Sequence, residues 1–124
     1  MLDNFREFQA GPDPFGRNWQ VHFDFLQNGI SIRHADTVDV KFGVSTAGDP
    51  FEERIIALPH AALLAASKTL DHELTDAWCL KIAALHLKYM LESGEDLEKT
   101  LVTVPQAEIE QYAREIKGAL ATAR

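Results

Sequence analysis

Cysteine is nearly missing from this chain: Cys79 stands alone, so no intramolecular disulfide can staple it. Small secreted domains usually carry an even set, so the expected compartment is the reducing cytoplasm. Long apolar runs are missing as well. The most apolar stretch, 77–91, is interrupted by Lys81, His86 and Lys88, which leaves it too short and too charged to span a bilayer. The first residues include Asp3, Arg6 and Glu7 and no apolar run, which is not the pattern of a signal peptide.

Basic residues are scarce. Lys and Arg number 12 against 19 Asp and Glu, a formal net charge of −7. Both halves share it, about −4 before His60 and about −3 after it. A chain without a Lys/Arg stripe is poorly suited to phosphate backbones, so neither nucleic acid nor an anionic membrane is expected as a partner.

The usual chemical signatures are absent too. There is no GxGxxG, no GxxxxGK[ST], no GxSxG, no CxxC, no HxH and no HExxH. Residues 11–16 form a loop between two glycines, but Pro12 and Pro14 remove the backbone donors a phosphate loop needs. His72, Asp76 and Cys79 fall at i, i+4 and i+7. An N-cap at Thr75 would leave His72 outside that helix, and His86 lies roughly 10 Å further along the axis. No catalytic residue, metal site or cofactor is therefore assigned. Cys79, between Trp78 and Leu80, reads as a small buried hydrophobe. His86 reads as a core histidine bonded to a neighbour.

What is present is an ordinary globular composition: 124 residues, 46% hydrophobic and 25% charged. That length suits one domain with its own core. Residues 1–18 read as an irregular lead-in, broken by Gly11, Pro12, Pro14 and Gly16, with Phe5, Phe8 and Phe15 tucked onto the body. Phe15 to Trp19 would either plug a sheet edge or present Arg17 and Trp19 to a partner.

Trp19 to Phe25 alternates apolar and polar residues, the pattern of a half-buried strand. Asn28-Gly29 follows, a strong hairpin signal. A turn there sets Phe25 opposite Ile32 and Asp24 opposite Arg33. A second turn at Ala35-Asp36-Thr37 sets Arg33 opposite Asp39, Ile32 opposite Val40 and Ile30 opposite Phe42. Thr46 to Pro50 is a loop, and Glu53 to Leu58 a fourth strand.

The remainder is helical. Pro59 suits the start of a helix over 60–70. Thr75 caps a second helix, with Asp76 in its first turn and Gly94 as its stop. That helix is apolar on nearly every face, which places it at the centre of a core. Leu101 to Val104 reads as a short fifth strand. Pro105 opens a last helix whose Ile109, Tyr112, Ala113, Ile116 and Leu120 form one apolar stripe.

The expected fold is thus α+β: a single domain over 1–124, with an antiparallel β-meander of about four strands over 19–58. Three helices over 59–124 follow it and pack on one face.

Two functions follow as expectations. The first is a non-catalytic intracellular interaction module that self-associates as a homodimer or takes another protein partner. It rests on the missing signatures and on apolar surface of the middle helix left over for a partner. The second is a small-molecule-binding protein or small enzyme using the polar sheet face, where His22, Asp24, Arg33, Asp39 and Lys41 project together. His22 lies two residues from Asp24 on that face, so a carboxylate is placed to influence the imidazole. This second function needs a roof over those residues to make a pocket.

Overall fold

The computed structural model describes residues 4–29, 36–46 and 48–122. Five strands and three helices follow in the order β1 (Glu7–Ala10), β2 (Trp19–Gly29), β3 (Thr37–Thr46), β4 (Glu52–Pro59), α1 (His60–Leu70), α2 (Asp76–Ser93), β5 (Leu101–Thr103) and α3 (Gln106–Thr122). The strands form one sheet in chain order. β1 to β4 are an antiparallel meander, and β5 joins β4 in parallel after α1 and α2 have crossed over. The α+β architecture expected from segregated strands and helices is the one observed.

Two strands differ from the expected ones. The lead-in contains β1, whose Phe8 and Ala10 face the core while Glu7 and Gln9 face out. Four residues flanked by Gly and Pro are too few for alternation to stand out. Phe5 packs against the core and Phe8 is buried, but Phe15 is 78% exposed.

The second difference is larger. Asn28-Gly29 is not a turn. β2 continues through both residues, with Asn28 opposite Val38 and Gly29 opposite Thr37. A local turn preference has given way to a ladder along the whole of β3. The expected strand 30–34, with Ile30, Ile32 and Arg33, lies outside the described residues. Its expected partners on β3 are nevertheless taken. β3 is flanked on both sides, by β2 and β4, so Asp39 faces Gln27 and Ala57, not Arg33.

Within β2 the register shifts between Phe23 and Phe25. The extra residue, Asp24, is a β-bulge. It switches the parity of the strand: Val21, Phe23 and Leu26 point to the helices, while Phe25 turns to the other side with Lys41.

One hydrophobic cluster draws on all eight elements. α1 and α2 pack on the sheet, and α3 packs on α1 and α2. Thr75 accepts the Trp78 N–H and caps α2, and Gly94 ends it in a left-handed conformation. Eleven of the eighteen residues of α2 are buried. The sheet covers one side of this helix and α3 another, and Phe5 lies against Lys81. The apolar surface expected to remain on α2 for a partner is therefore enclosed within the chain.

Candidate functional site

All three helices lie on one face of the sheet, which leaves the other face to be read as rows of residues across the strands. The first row is Glu7–His22–Gly43–Glu53. The second is Phe25–Lys41–Ile55–Leu101, and the third is Gln27–Asp39–Ala57–Thr103. A solvated sheet face normally carries polar residues at such positions. The second row instead has Phe25 43% exposed and Leu101 52% exposed, with Ile55 partly exposed between them. Phe51, 53% exposed, extends the apolar surface toward the first row through its edge-on contact with His22.

Four of the five residues expected to form a site lie on this face, but as separate groups. His22 Nε2 is 3.0 Å from an Asp24 carboxylate oxygen, the contact their spacing led one to expect. The ring sits directly over Gly43. A Cβ at that position would come within 2.7–2.8 Å of the imidazole, so glycine is what lets the ring approach the strand this closely. Lys41 pairs with Glu53 at 2.8 Å and stands 5.0 Å over the Phe25 ring. Asp39 accepts the Thr37 hydroxyl at 2.8 Å. Arg33 lies outside the described residues. Among the described residues no helix roofs this face, and the clefts described next lie elsewhere.

A cleft of 340 Å³ opens between α2 and α3, lined by Lys88, Tyr89, Glu92, Glu108, Tyr112 and Glu115 among others. Beneath it the buried His86 Nδ1 lies 2.9 Å from the Tyr112 hydroxyl and 3.4 Å from the Glu108 carboxylate. Burial lowers the imidazole below its ordinary range, against the pull of Glu108, Glu95 and Asp96. Burial, with Glu108 and Glu115 nearby, pushes the Tyr112 hydroxyl far up. A neutral imidazole bonded to a protonated phenol ties two helices together. Burial likewise pushes the Cys79 thiol up to about 11, with Asp76 adding to the shift, opposite to an activated thiolate. His72 stacks on Trp78, and among the described residues no three His, Cys, Asp or Glu side chains could share a metal ion.

A second cleft, of 480 Å³, lies where the 11–18 loop meets the β3–β4 turn and the end of α2. The loop is organised by the buried Asp13. Its carboxylate accepts the Phe15 and Arg17 N–H groups, the Arg17 Nε–H and the Trp19 indole N–H, at 2.8–3.1 Å. Burial alone would raise this carboxyl, but the four donors outweigh it and hold it at about 2. Arg17 lies between the Phe15 and Trp19 rings, with Trp19 buried and Phe15 projecting outward. The loop covers the sheet end and presents Phe15, rather than presenting Trp19.

Sequence reasoning missed Phe25, Phe51, Ile55 and Leu101 as surface residues. Phe25 was hidden by the bulge, which no alternation pattern reveals. Phe51 follows Pro50 in a turn, where an exposed aromatic has no periodic signature. Ile55 and Leu101 sit in strands read as core. No protein-family model matches the chain, and no curated protein or solved structure does.

Proposed function

We propose that the chain is a non-catalytic protein-interaction module whose binding surface is the helix-free face of its sheet. The observation that carries this reading is the row Phe25–Lys41–Ile55–Leu101, three apolar side chains around one ion-paired lysine where a solvated face would be polar throughout. The exposed Phe51 beside it enlarges the patch. Aromatic side chains of this kind anchor protein interfaces, because they bury large area at little entropic cost. The interaction surface is thus on the sheet rather than on α2. A small-molecule site at His22, Asp24 and Lys41 would need an enclosing element, and among the described residues the helices are all on the far side.

The test is an unbiased one. A random-peptide display library is selected on the immobilised full-length protein, and binders are mapped by amide chemical-shift changes. Binders that shift Phe25, Lys41, Ile55 and Leu101 support the reading. A selection that yields no binder, or binders confined to the α2–α3 cleft or the Phe15 cleft, overturns it.

A further inference from the structure

We infer that the occupant of this face is a cationic amphipathic helix from a partner protein, an inference that rests on the interaction-module reading above. The argument starts from charge. Among the described residues the face carries four carboxylates, Glu7, Asp24, Asp39 and Glu53, and one ammonium, Lys41. Lys41 is already paired with Glu53, and its ammonium stands over the Phe25 ring.

The carboxylates are also placed in relation to the apolar row. Asp39 stands in the row on one side of it, and Glu7 and Glu53 in the row on the other. Each flanking row is about 7 Å away, two residues along the strands. An apolar band bordered by anions on both sides complements an apolar stripe bordered by Lys or Arg on both sides.

Dimensions select a helix. The row crosses three inter-strand spacings, roughly 14 Å, which about nine helical residues would span. A strand would add to a sheet edge, at β1 or β5, rather than lie on the face. In layered folds a helix is one of the two elements, with a second sheet, that cover the open face of a sheet.

A second copy of the chain is a poorer occupant. Face-to-face packing of two copies would set like charges against each other in a partly desolvated interface, which costs affinity and register. The same carboxylates oppose phosphate backbones and anionic lipid.

Three synthetic peptides of about 14 residues test this. They share leucines at helical spacing and differ in carrying Lys, Glu or Ser elsewhere. Each is titrated into the full-length protein by fluorescence anisotropy and by amide chemical shifts. The Leu/Lys peptide is expected to shift the Phe25–Leu101 row and to bind at least about tenfold more tightly than the others. Its binding should weaken by about tenfold in the Asp39→Lys, Glu53→Gln double variant and stay unchanged in Glu110→Lys on α3. Rising salt should weaken it in the wild type, a reading that needs no variant to fold.

If the Leu/Ser or Leu/Glu peptide binds this face equally well, the cationic occupant is wrong while the interaction surface stands. If the Leu/Lys peptide binds elsewhere on the protein, the inference also fails. If no peptide reaches the face, inference and surface fall together. A face-to-face dimer in solution would make the second copy the occupant and overturn the inference.

Discussion

At the scale of single residues, the clearest dependence is between Gly43 and His22. A methyl group at 43 would meet the imidazole at 2.7–2.8 Å. Gly43→Ala should therefore push the ring off Phe51 and Asp24 and cost stability. On a His22→Ala background the same change should stabilise by roughly 0.5–1 kcal/mol, the ordinary gain of Ala over Gly within a strand. Urea unfolding of the four proteins measures this as a coupling of about 1 kcal/mol or more. Asp13 gives a second test, of pH dependence. Its folded-state pKa is lowered from 3.8 to about 2. A lowered carboxyl pKa stabilises the fold fully above the unfolded value and is lost as pH falls through the folded one. The advantage of wild type over Asp13→Asn should thus be constant above about pH 5 and shrink steadily toward pH 2, as urea midpoints would report.

At the scale of elements, the helices were the most legible part of the sequence. Pro59, Thr75, Gly94 and Pro105 punctuate the chain: each of the three helices begins just after one of these marks, and α2 ends at Gly94. Their periodicity and caps are local, so the sequence displays them directly. The strands were less legible because pairing is not local. Asn28-Gly29 has a strong turn preference, but whether it turns depends on the ladder that β2 makes with β3. Asn28→Thr discriminates between the two: it should stabilise a strand by about 0.5 kcal/mol and destabilise a type I′ turn, and the thermal midpoint should rise.

The α2–α3 joint was legible as to residue but not as to partner. His86 looked like a bonded core histidine, yet Tyr112 is 26 positions away. Burial keeps His86 neutral in the fold, so its pKa is below 6.5 there. Between the two values the unfolded chain binds the proton and the folded chain does not, so stability falls as pH drops below about 6.5. His86→Gln should flatten that slope below about pH 6.5, with hydrogen exchange in α3 showing the same change.

At the scale of the whole molecule, the net charge of −7 and the absence of catalytic motifs were plain in the sequence. The location of the spare apolar surface was not. The composition of α2 suggested that it lay on the helices, but sheet and α3 enclose that helix. The surplus is on the opposite face, exposed by a single bulged residue, Asp24, that brings Phe25 out beside Lys41. A parity change of this kind depends on the partner strand and leaves no mark in hydropathy. The polar candidates His22, Asp24, Asp39 and Lys41 did fall on one face, because β3 keeps strict alternation up to Phe42 and Asp24 is turned to His22. They form short local pairs instead of one converging site.

The most direct measurement of the central claim is the Phe25→Ser, Leu101→Ser double variant, assayed for stability and for binding of display-selected peptides. If the row exists for a partner, the thermal midpoint should stay within about 3 °C of wild type, as for exposed substitutions outside the core. Peptide affinity should fall by at least about tenfold, near 1.4 kcal/mol. A large fall in the midpoint with affinity unchanged would contradict the account, because the row would then serve the fold and not an interface.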